Sequence, residues 1–291
     1  MASNAMRLTT RLKKLLAAKK AVTFPGAANA MFARVIEDLR FEACYVTGAG
    51  IANMHLGAPD IGLTTLTEIS NATAAISDAI GLPLLVDADT GFGNPVNMHR
   101  TVKVLERAGA AGIQIEDQVF PKKCGHFNGK EVIPLSEMVA KIKAAVDARK
   151  DQDFQIVART DARAIVGLDK AIERAQAFID AGADATFIEA PLSFEEMARI
   201  ARELKVPQIA NIVYGGKTPD PGRAGLAEMG FAGVLYANAS LQAALRASYE
   251  VLGSLKEHGS LQHVAEKLAS FDERQRVVNK PFWDDMEARY K

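Results

Sequence analysis

Residues 121–126 read Pro-Lys-Lys-Cys-Gly-His, and Cys124 is one of only two cysteines in 291 residues. Cationic neighbours lower a thiol's pKa and ready it for proton transfer or attack. A solvated basic turn holding an incidental cysteine is the plain alternative. The hexapeptide follows the apolar run Gly112-Ile113-Gln114-Ile115 and the acids Glu116-Asp117, as if a strand end met a reactive loop. Upstream, Asp87 and Asp89 close another apolar run and precede Gly91 and Gly93. At a spacing of two along a strand their carboxylates can face one side. With Glu116 they form an all-oxygen set suited to Mg²⁺ or Mn²⁺, ions that keep several waters. Zn²⁺ suits it poorly, because no Cys/His pair stands at ligand spacing. The competing use of these aspartates is to cap a helix near Asn94, which would employ one of them but hardly both. Arg159 follows the apolar run 154–158 and would be available to polarise a carbonyl or clamp a carboxylate. Its structural use would be an ion pair with Asp161 or Glu189. Thr47-Gly48-Ala49-Gly50 offers unobstructed backbone N–H groups, a nest for a carboxylate or phosphate, although such a turn is more often just a turn. Cys44 lies inside an apolar run and reads as inert core.

Chemistry of this kind needs elements to hold it. A helical pattern, a Gly-containing turn and an apolar run recur along the chain, most plainly ending at Thr47, Glu116, Glu189 and Ala237. Short apolar runs suit parallel strands buried on both faces. Eight are expected, at 21–25, 43–47, 84–87, 112–116, 154–159, 185–189, 208–211 and 233–237. Helical patterns fall between them, for example at 97–110, 135–149, 168–181, 194–204 and 222–228. Eight alternating units predict an α/β chain folded as a (β/α)₈ barrel, with a doubly wound open sheet as the alternative. In a barrel the polar residues above all fall at C-terminal strand ends, where this architecture carries its chemistry. Residues 1–5 precede a second methionine, Met6, and look like a cloning remnant. Residues 6–291 then form one domain, whose tail 239–291 exceeds one barrel helix and is expected to pack on a neighbouring copy. The chain carries 35 basic and 35 acidic residues, which argues against a nucleic-acid partner. No run is long and apolar enough to span a membrane. Two cysteines make no disulfide framework, so a reducing cytoplasm is the default.

These residues in this order resemble the isocitrate lyase/phosphoenolpyruvate mutase superfamily over nearly the whole chain. The motifs carrying the resemblance are Thr47-Gly48-Ala49-Gly50, the stretch 84–93, Ile115-Glu116-Asp117-Gln118, Lys122-Lys123-Cys124-Gly125-His126, Ala158-Arg159-Thr160-Asp161-Ala162 and Asn211. The cysteine loop is similar to the branch that cleaves carbon–carbon bonds, as 2-methylisocitrate and 2,3-dimethylmalate lyases do. The resemblance implies Mg²⁺ (with Mn²⁺ as a substitute) held most directly by Asp87, its waters held by Asp60, Asp89 and Glu116. It implies a 2-hydroxy acid whose carboxylate sits on Thr47, Gly48 and Ala49 with Tyr45 close by. Cys124 would protonate the carbanion released with pyruvate, and Arg159 would stabilise oxygen charge. Lys122, Gly125, His126, Glu189 and Asn211 would position the distal carboxylate and the loop. A homotetramer, a dimer of dimers exchanging a C-terminal helix, is implied as well. The chain departs from the pattern at Tyr214, where relatives usually carry Glu, at Thr47 for Ser, and at Ala49. These changes are expected near the substrate. Oxaloacetate decarboxylation or hydrolysis, phosphonopyruvate chemistry, and a non-catalytic metabolite-binding scaffold are the rival readings.

Overall fold

The structure is a computed structural model that describes residues 6–125 and 129–291; residues 1–5 and His126 lie outside the described residues. Eight strands are present: β1 (Val22–Ala27), β2 (Cys44–Val46), β3 (Leu84–Asp87), β4 (Gly112–Glu116), β5 (Gln155–Thr160), β6 (Ala185–Ile188), β7 (Ile209–Asn211) and β8 (Gly233–Tyr236). They pair in parallel in the order β6-β5-β4-β3-β2-β1-β8-β7. The pairing of β1 with β8, from Val22 against Gly233 to Pro25 against Tyr236, brings the chain back on itself. That excludes the open sheet. The β6–β7 seam closes through a single bridge between Thr186 and Gln208. There the Thr186 hydroxyl donates to Gln208 Oε1 at 2.9 Å, and the Thr186 N–H donates to the Pro207 carbonyl at 3.0 Å. The protein is therefore a (β/α)₈ barrel of the TIM type, nearly closed, with helices following it.

Every strand lies within two residues of its expected bounds. The structure adds helices at Leu8–Ala17, Ala30–Asp38, Gly48–Leu56 and Leu66–Ala79. The first is a plug. Leu12 and Leu16 are wholly buried in one cluster with Phe24, Tyr45, Val157, Phe187 and Leu235. Thr9 and Thr10 donate to Asp151 and Asp153, at the N-terminal end of β5, at 2.7 Å each. The floor of the barrel is thus sealed opposite the end that carries the polar residues. The helix Gly48–Leu56 escapes a propensity reading because it opens Gly-Ala-Gly. Its nucleus is the Thr47 cap, whose hydroxyl accepts the Gly50 N–H at 3.1 Å.

Side chains alternate along a strand, so inward positions form rows. On β4, Ile113 and Ile115 join the core between strands and helices. Gln114 and Glu116 therefore face inward. The same parity gives the inward rows Ala43-Tyr45-Thr47, Leu85-Asp87, Val157-Arg159, Ala185-Phe187-Glu189, Ile209-Asn211 and Leu235-Ala237. Each of these six rows begins apolar and ends in a polar or small residue, while the β4 row is polar at both Gln114 and Glu116. The candidate site residues on the strands are simply the upper layer of the barrel interior.

The helix Ala239–His258 that follows β8 has no buried residue, and Tyr249, Leu252, Phe271 and Trp283 are exposed along the tail. Among the described residues no helix is long and apolar enough to cross a membrane.

Gly26 faces β8, and a Cβ there would run into the backbone carbonyl of Ala237. Backbone does not yield as a side-chain tip does. Gly26→Ala is expected to destabilise the fold by about 1–3 kcal/mol, read as a lower urea midpoint at unchanged slope.

Candidate active site

The C-terminal ends of the strands surround a narrow cavity of 40 Å³. Its lining brings together Tyr45, Thr47, Ala49, Asp60, Asp87, Glu116, Lys122, Cys124, Gly125, Arg159 and Asn211 from the sequence-derived set. Lys123, Phe187, Val213, Leu235, Ala237 and Asn238 complete it. Gly48, Asp89 and Glu189 stand just behind this wall. A larger cavity of 670 Å³ lies beyond Thr90 but holds neither the acid set nor the cysteine, so the smaller one is the candidate site.

Asp87 ends β3, and the chain then turns sharply. Asp89 adopts a left-handed backbone with φ 45°, a conformation Asp tolerates better than most residues. The turn is pinned because the Glu116 N–H donates to the Asp89 carbonyl at 2.8 Å and the Thr101 hydroxyl to the Gly91 carbonyl at 3.0 Å. Neither aspartate caps the following helix; Asn94 does so with its own side chain. A Cβ placed on Gly48 would lie 3.1 Å from Asp87 Oδ2 and 3.4 Å from Asp89 Oδ1. The two carboxylates therefore converge on the start of the helix Gly48–Leu56. The glycine-rich nest is a helix N-terminus, whose first N–H groups lack intrahelical partners and favour an anion.

Lys122 is buried and reaches into these acids, with Nζ 2.5 Å from Asp60 Oδ1 and 2.8 Å from Asp89 Oδ1. Burial opposes its charge, but Asp89, Glu116, Asp60 and Asp87 outweigh it and hold the ammonium well above the usual lysine range. Lys122 is thus paired with the acid cluster on the cavity wall. Lys123 turns away and donates to the Gly129 carbonyl at 2.7 Å. The two lysines that precede Cys124 in sequence are thus engaged with other partners.

Arg159 is buried at the end of β5. Its Nε lies 2.8 Å from Asp161 Oδ2 and 3.3 Å from Glu116 Oε2, its Nη1 lies 3.7 Å from Glu189 Oε2, and its guanidinium stacks over Phe187 at 5.1 Å. Burial works against this charge, yet Asp161, Glu189 and Glu116 raise it well above the ordinary arginine range. The structural pairing read from sequence coexists with a place on the cavity wall. Asn211 Nδ2 donates to Glu189 at 3.4 Å. Tyr45 donates to Gln114 Oε1 at 2.7 Å, and burial, with Asp87 nearby, pushes its phenol well above the usual value. It stays a neutral donor.

The cysteine loop rises from a short antiparallel ladder. Gln118 pairs with Val132, Val119 N–H donates to the Glu131 carbonyl at 2.9 Å, and Ile133 N–H donates to that of Asp117 at 2.8 Å. Gln118 and Lys123 exchange side-chain and backbone hydrogen bonds at 2.8 and 2.9 Å. The Cys124 N–H donates to the Asp60 carbonyl at 3.1 Å. A Cβ on Gly125 would run into the side-chain ends of Arg159 and Glu189 and push them aside. Lys130, which sequence reasoning missed, is buried with Nζ 2.5 Å from Asp161 Oδ1 and also donates to the Gly125 carbonyl. Asp161 is fixed from below, because its N–H donates to Asp117 at 3.0 Å, and Asp117 also takes Thr160 at 2.7 Å and Arg174 at 2.9 Å. One network therefore ties loop, arginine and barrel wall together. A basic residue returning after the loop was the only sequence signal for Lys130. Cys44 is inert as expected, its thiol pushed up to about 12 by burial. Of the departures from the family pattern, Thr47 and Ala49 line the cavity, whereas Tyr214 is 90% exposed and does not.

The acid set fits a hydrated divalent ion. Asp60, Asp87, Asp89, Glu116, Asp161 and Glu189 outnumber Lys122, Lys130 and Arg159 among the described residues. Glu116 Oε1 is buried with no hydrogen-bond partner among them. Burial pushes Glu116 well above the carboxylate range, and burial with Asp87 and Asp60 pushes Asp89 up to about 7. Those carboxyls sit where a cation would relieve them. Among the described residues no three His, Cys, Asp or Glu side chains form a cage for a bare ion. Carboxylates reaching an ion through its waters match Mg²⁺ chemistry.

Barrel, acid layer and cysteine loop together define a class, and comparison with known proteins agrees. The profile of the family described as phosphoenolpyruvate phosphomutase matches residues 12–256. The 2,3-dimethylmalate lyase of Eubacterium barkeri is 47% identical over 92% of this chain and 93% of its own. The 2-methylisocitrate lyase of Aeropyrum pernix is 46% identical over 88% and 82%. A crystal structure of 2,3-dimethylmalate lyase superposes with TM-score 0.93 at 33% identity, covering 98% of this chain and 96% of that one. A phosphonopyruvate hydrolase in complex with oxalate and Mg²⁺ superposes with TM-score 0.89 at 30% identity, covering 98% and 99%. The chain belongs to the phosphoenolpyruvate mutase/isocitrate lyase superfamily. Its relatives place it among that superfamily's carbon–carbon lyases.

Two outcomes are expected from the geometry. Lys130→Met keeps the Asp161–Arg159 pair but releases the Gly125 carbonyl. A lost charged hydrogen bond is worth about 1.5–3 kcal/mol, so amide exchange across 121–131 should speed up by about tenfold or more, with exchange in β5 unchanged. For Asp89, between its ordinary 3.8 and about 7 the folded protein keeps a proton that the unfolded chain has released. Stability without metal should then fall as pH rises through that window. The urea midpoint of EDTA-treated protein is expected to drop between about pH 4 and 7, and Asp89→Asn to flatten that drop.

Proposed function

We propose that this protein is a Mg²⁺-dependent lyase that cleaves a branched 2-hydroxy di- or tricarboxylate, of the 2,3-dimethylmalate or 2-methylisocitrate type, into pyruvate and a second carboxylate, propionate or succinate. The observation that carries the reading is the meeting of Cys124 and Arg159 with Asp87, Glu116 and a helix N-terminus on one cavity wall. Mn²⁺ is expected to substitute for Mg²⁺. Asp87 would hold the ion most directly, and Asp60, Asp89 and Glu116 would hold its waters. When bound, the ion supplies Lewis-acid stabilisation to the 2-hydroxy acid end of the substrate.

The chain's own residues do the rest. The N–H groups at Gly48 and Ala49, with the Thr47 hydroxyl, hold the carboxylate next to the 2-hydroxyl. Tyr45, kept protonated by burial, stands close to that end. Loss of the hydroxyl proton lets the adjacent C–C bond break. Its electron pair passes to the departing carbon, which becomes a carboxylate-stabilised carbanion. Arg159 lies where its fixed guanidinium stabilises the oxygen charge. The Cys124 thiol gives its proton to the carbanion. The network through Lys130 and Asp161 holds the loop, while Glu189 and Asn211 hold Arg159 and the far carboxylate. His126 is assigned to that far carboxylate by the resemblance alone. The narrow cavity of 40 Å³ supports a loop that opens for binding and closes to exclude water.

The tail supports an assembly of several copies. Its long helix has no fully buried residue in its own chain and exposes Tyr249 and Leu252. A homotetramer exchanging this segment would cover it.

The test is pyruvate release with Mg²⁺ from 2,3-dimethylmalate, 2-methylisocitrate and isocitrate, with glyoxylate followed separately, and oxaloacetate loss in parallel. Turnover of one hydroxy acid, abolished by EDTA and lowered about 10²–10⁴-fold in Cys124→Ala, is the expected result. Turnover that survives Cys124→Ala would remove the acid assignment. Oxaloacetate loss with every hydroxy acid inert would move the reaction to hydrolysis or decarboxylation on the same barrel.

A further inference from the structure

The 670 Å³ cavity lies on the far side of the Asp87–Gly93 turn from the candidate active site, and its size is that of a small-molecule site. Its walls come from the segment before the helix Leu66–Ala79, from the turn itself, and from the helices Pro95–Arg107 and Leu135–Ala148. Lys141 lines it and is 4% exposed. An ammonium has three donors. Here one reaches the Thr90 carbonyl at 3.2 Å, and Glu137 Oε1 stands at a loose 3.7 Å on the outer side. A buried cation this poorly matched is costly, and burial holds it below the ordinary lysine range. Arg100 lines the same space and makes no hydrogen bond or ion pair among the described residues. Two cations against one carboxylate leave the cavity net positive. Phe92 and Ile133 supply an apolar wall, and Phe120, 63% exposed, an apolar rim.

We propose that this cavity is a second ligand site, which takes a small organic acid with its carboxylate between Lys141 and Arg100 and its apolar body against Phe92 and Ile133. Two features favour an anion over a neutral ligand. Lys141 has donors left over, and Arg100 presents a planar fork suited to a carboxylate. The apolar wall favours a flat or branched body over a bare inorganic ion. The site borders Thr90, the residue after Asp89, so an occupant would touch the turn that presents the acid set.

The test is a titration of the full-length protein with benzoate, a carboxylate on a flat apolar body, beside benzamide as its neutral counterpart. Arg100→Ala, Lys141→Met and Arg159→Met are compared with the unmodified protein. Saturable benzoate binding is expected, weakened about tenfold or more by Arg100→Ala and by Lys141→Met, unchanged in Arg159→Met, and absent for benzamide. Arg100 is exposed, so its variant remains informative should Lys141→Met not fold. The proposal is overturned by equal binding of benzamide, by no saturation up to ~10 mM, or by weakening in Arg159→Met with the cavity variants unaffected, which would put benzoate at the barrel mouth.

Discussion

An arginine buried at the mouth of a barrel must be surrounded by carboxylates, and much of this structure answers that demand. Arg159 is held by Asp161, Glu116 and Glu189 and stacks over Phe187. Removing a partner from such a group leaves an uncompensated charge, which costs far more than an exposed pair is worth. The carboxylates have to be fixed in turn. Asp161 is held by Lys130 and by Asp117, and Asp117 by Thr160 and Arg174. The chain of obligation runs from the helix Leu168–Asp180 to the backbone of the cysteine loop.

The opposite side of the cavity carries a larger excess of acid. Asp60, Asp87, Asp89 and Glu116 crowd around a single ammonium, that of Lys122. Like charges at this spacing in a dry site are relieved by protonation or by a cation. The two sides divide the work. Arg159 and the helix N-terminus suit an anionic substrate, and the acids suit the ion that would bind its hydroxyl end. Cys124 lies between them, on a loop tied to both through the Asp60 carbonyl and through Lys130 at Gly125.

The stiff part of the machine is the barrel. The plug of Leu12 and Leu16 seals one end, so the interior is a packed core up to the layer of Tyr45, Gln114 and Phe187. The polar layer rests on that core. Its side chains sit on strands rather than on free loops, and their positions follow from the pleat. The seam between β6 and β7 is the thinnest part of the wall, with one bridge where the other pairs have ladders.

The barrel was legible in the chain because each buried parallel strand must be a short apolar run, whatever lies around it. Glu116, Arg159, Glu189 and Asn211 were legible for the same reason. A charged or polar residue closing such a run has nowhere to go but the strand end. Asp87, Asp89 and Cys124 stood out by residue type and spacing. The tertiary structure alone decided the pairings. Both lysines beside Cys124 look alike in sequence, yet Lys122 turns into the acids and Lys123 to a loop carbonyl. Asp161 and Lys130 lie 31 positions apart and meet only because the barrel sets the end of β5 beside the returning loop. The helix at Gly48–Leu56 was hidden by its glycines, since its stability comes from the Thr47 cap and from packing rather than propensity. Tyr214 drew notice as a departure from the family pattern, but the fold turns it to solvent. Residue type and period determine which groups reach the barrel mouth, because they act through local geometry. Which charge each group meets there depends on contacts between distant segments, and no local pattern encodes them.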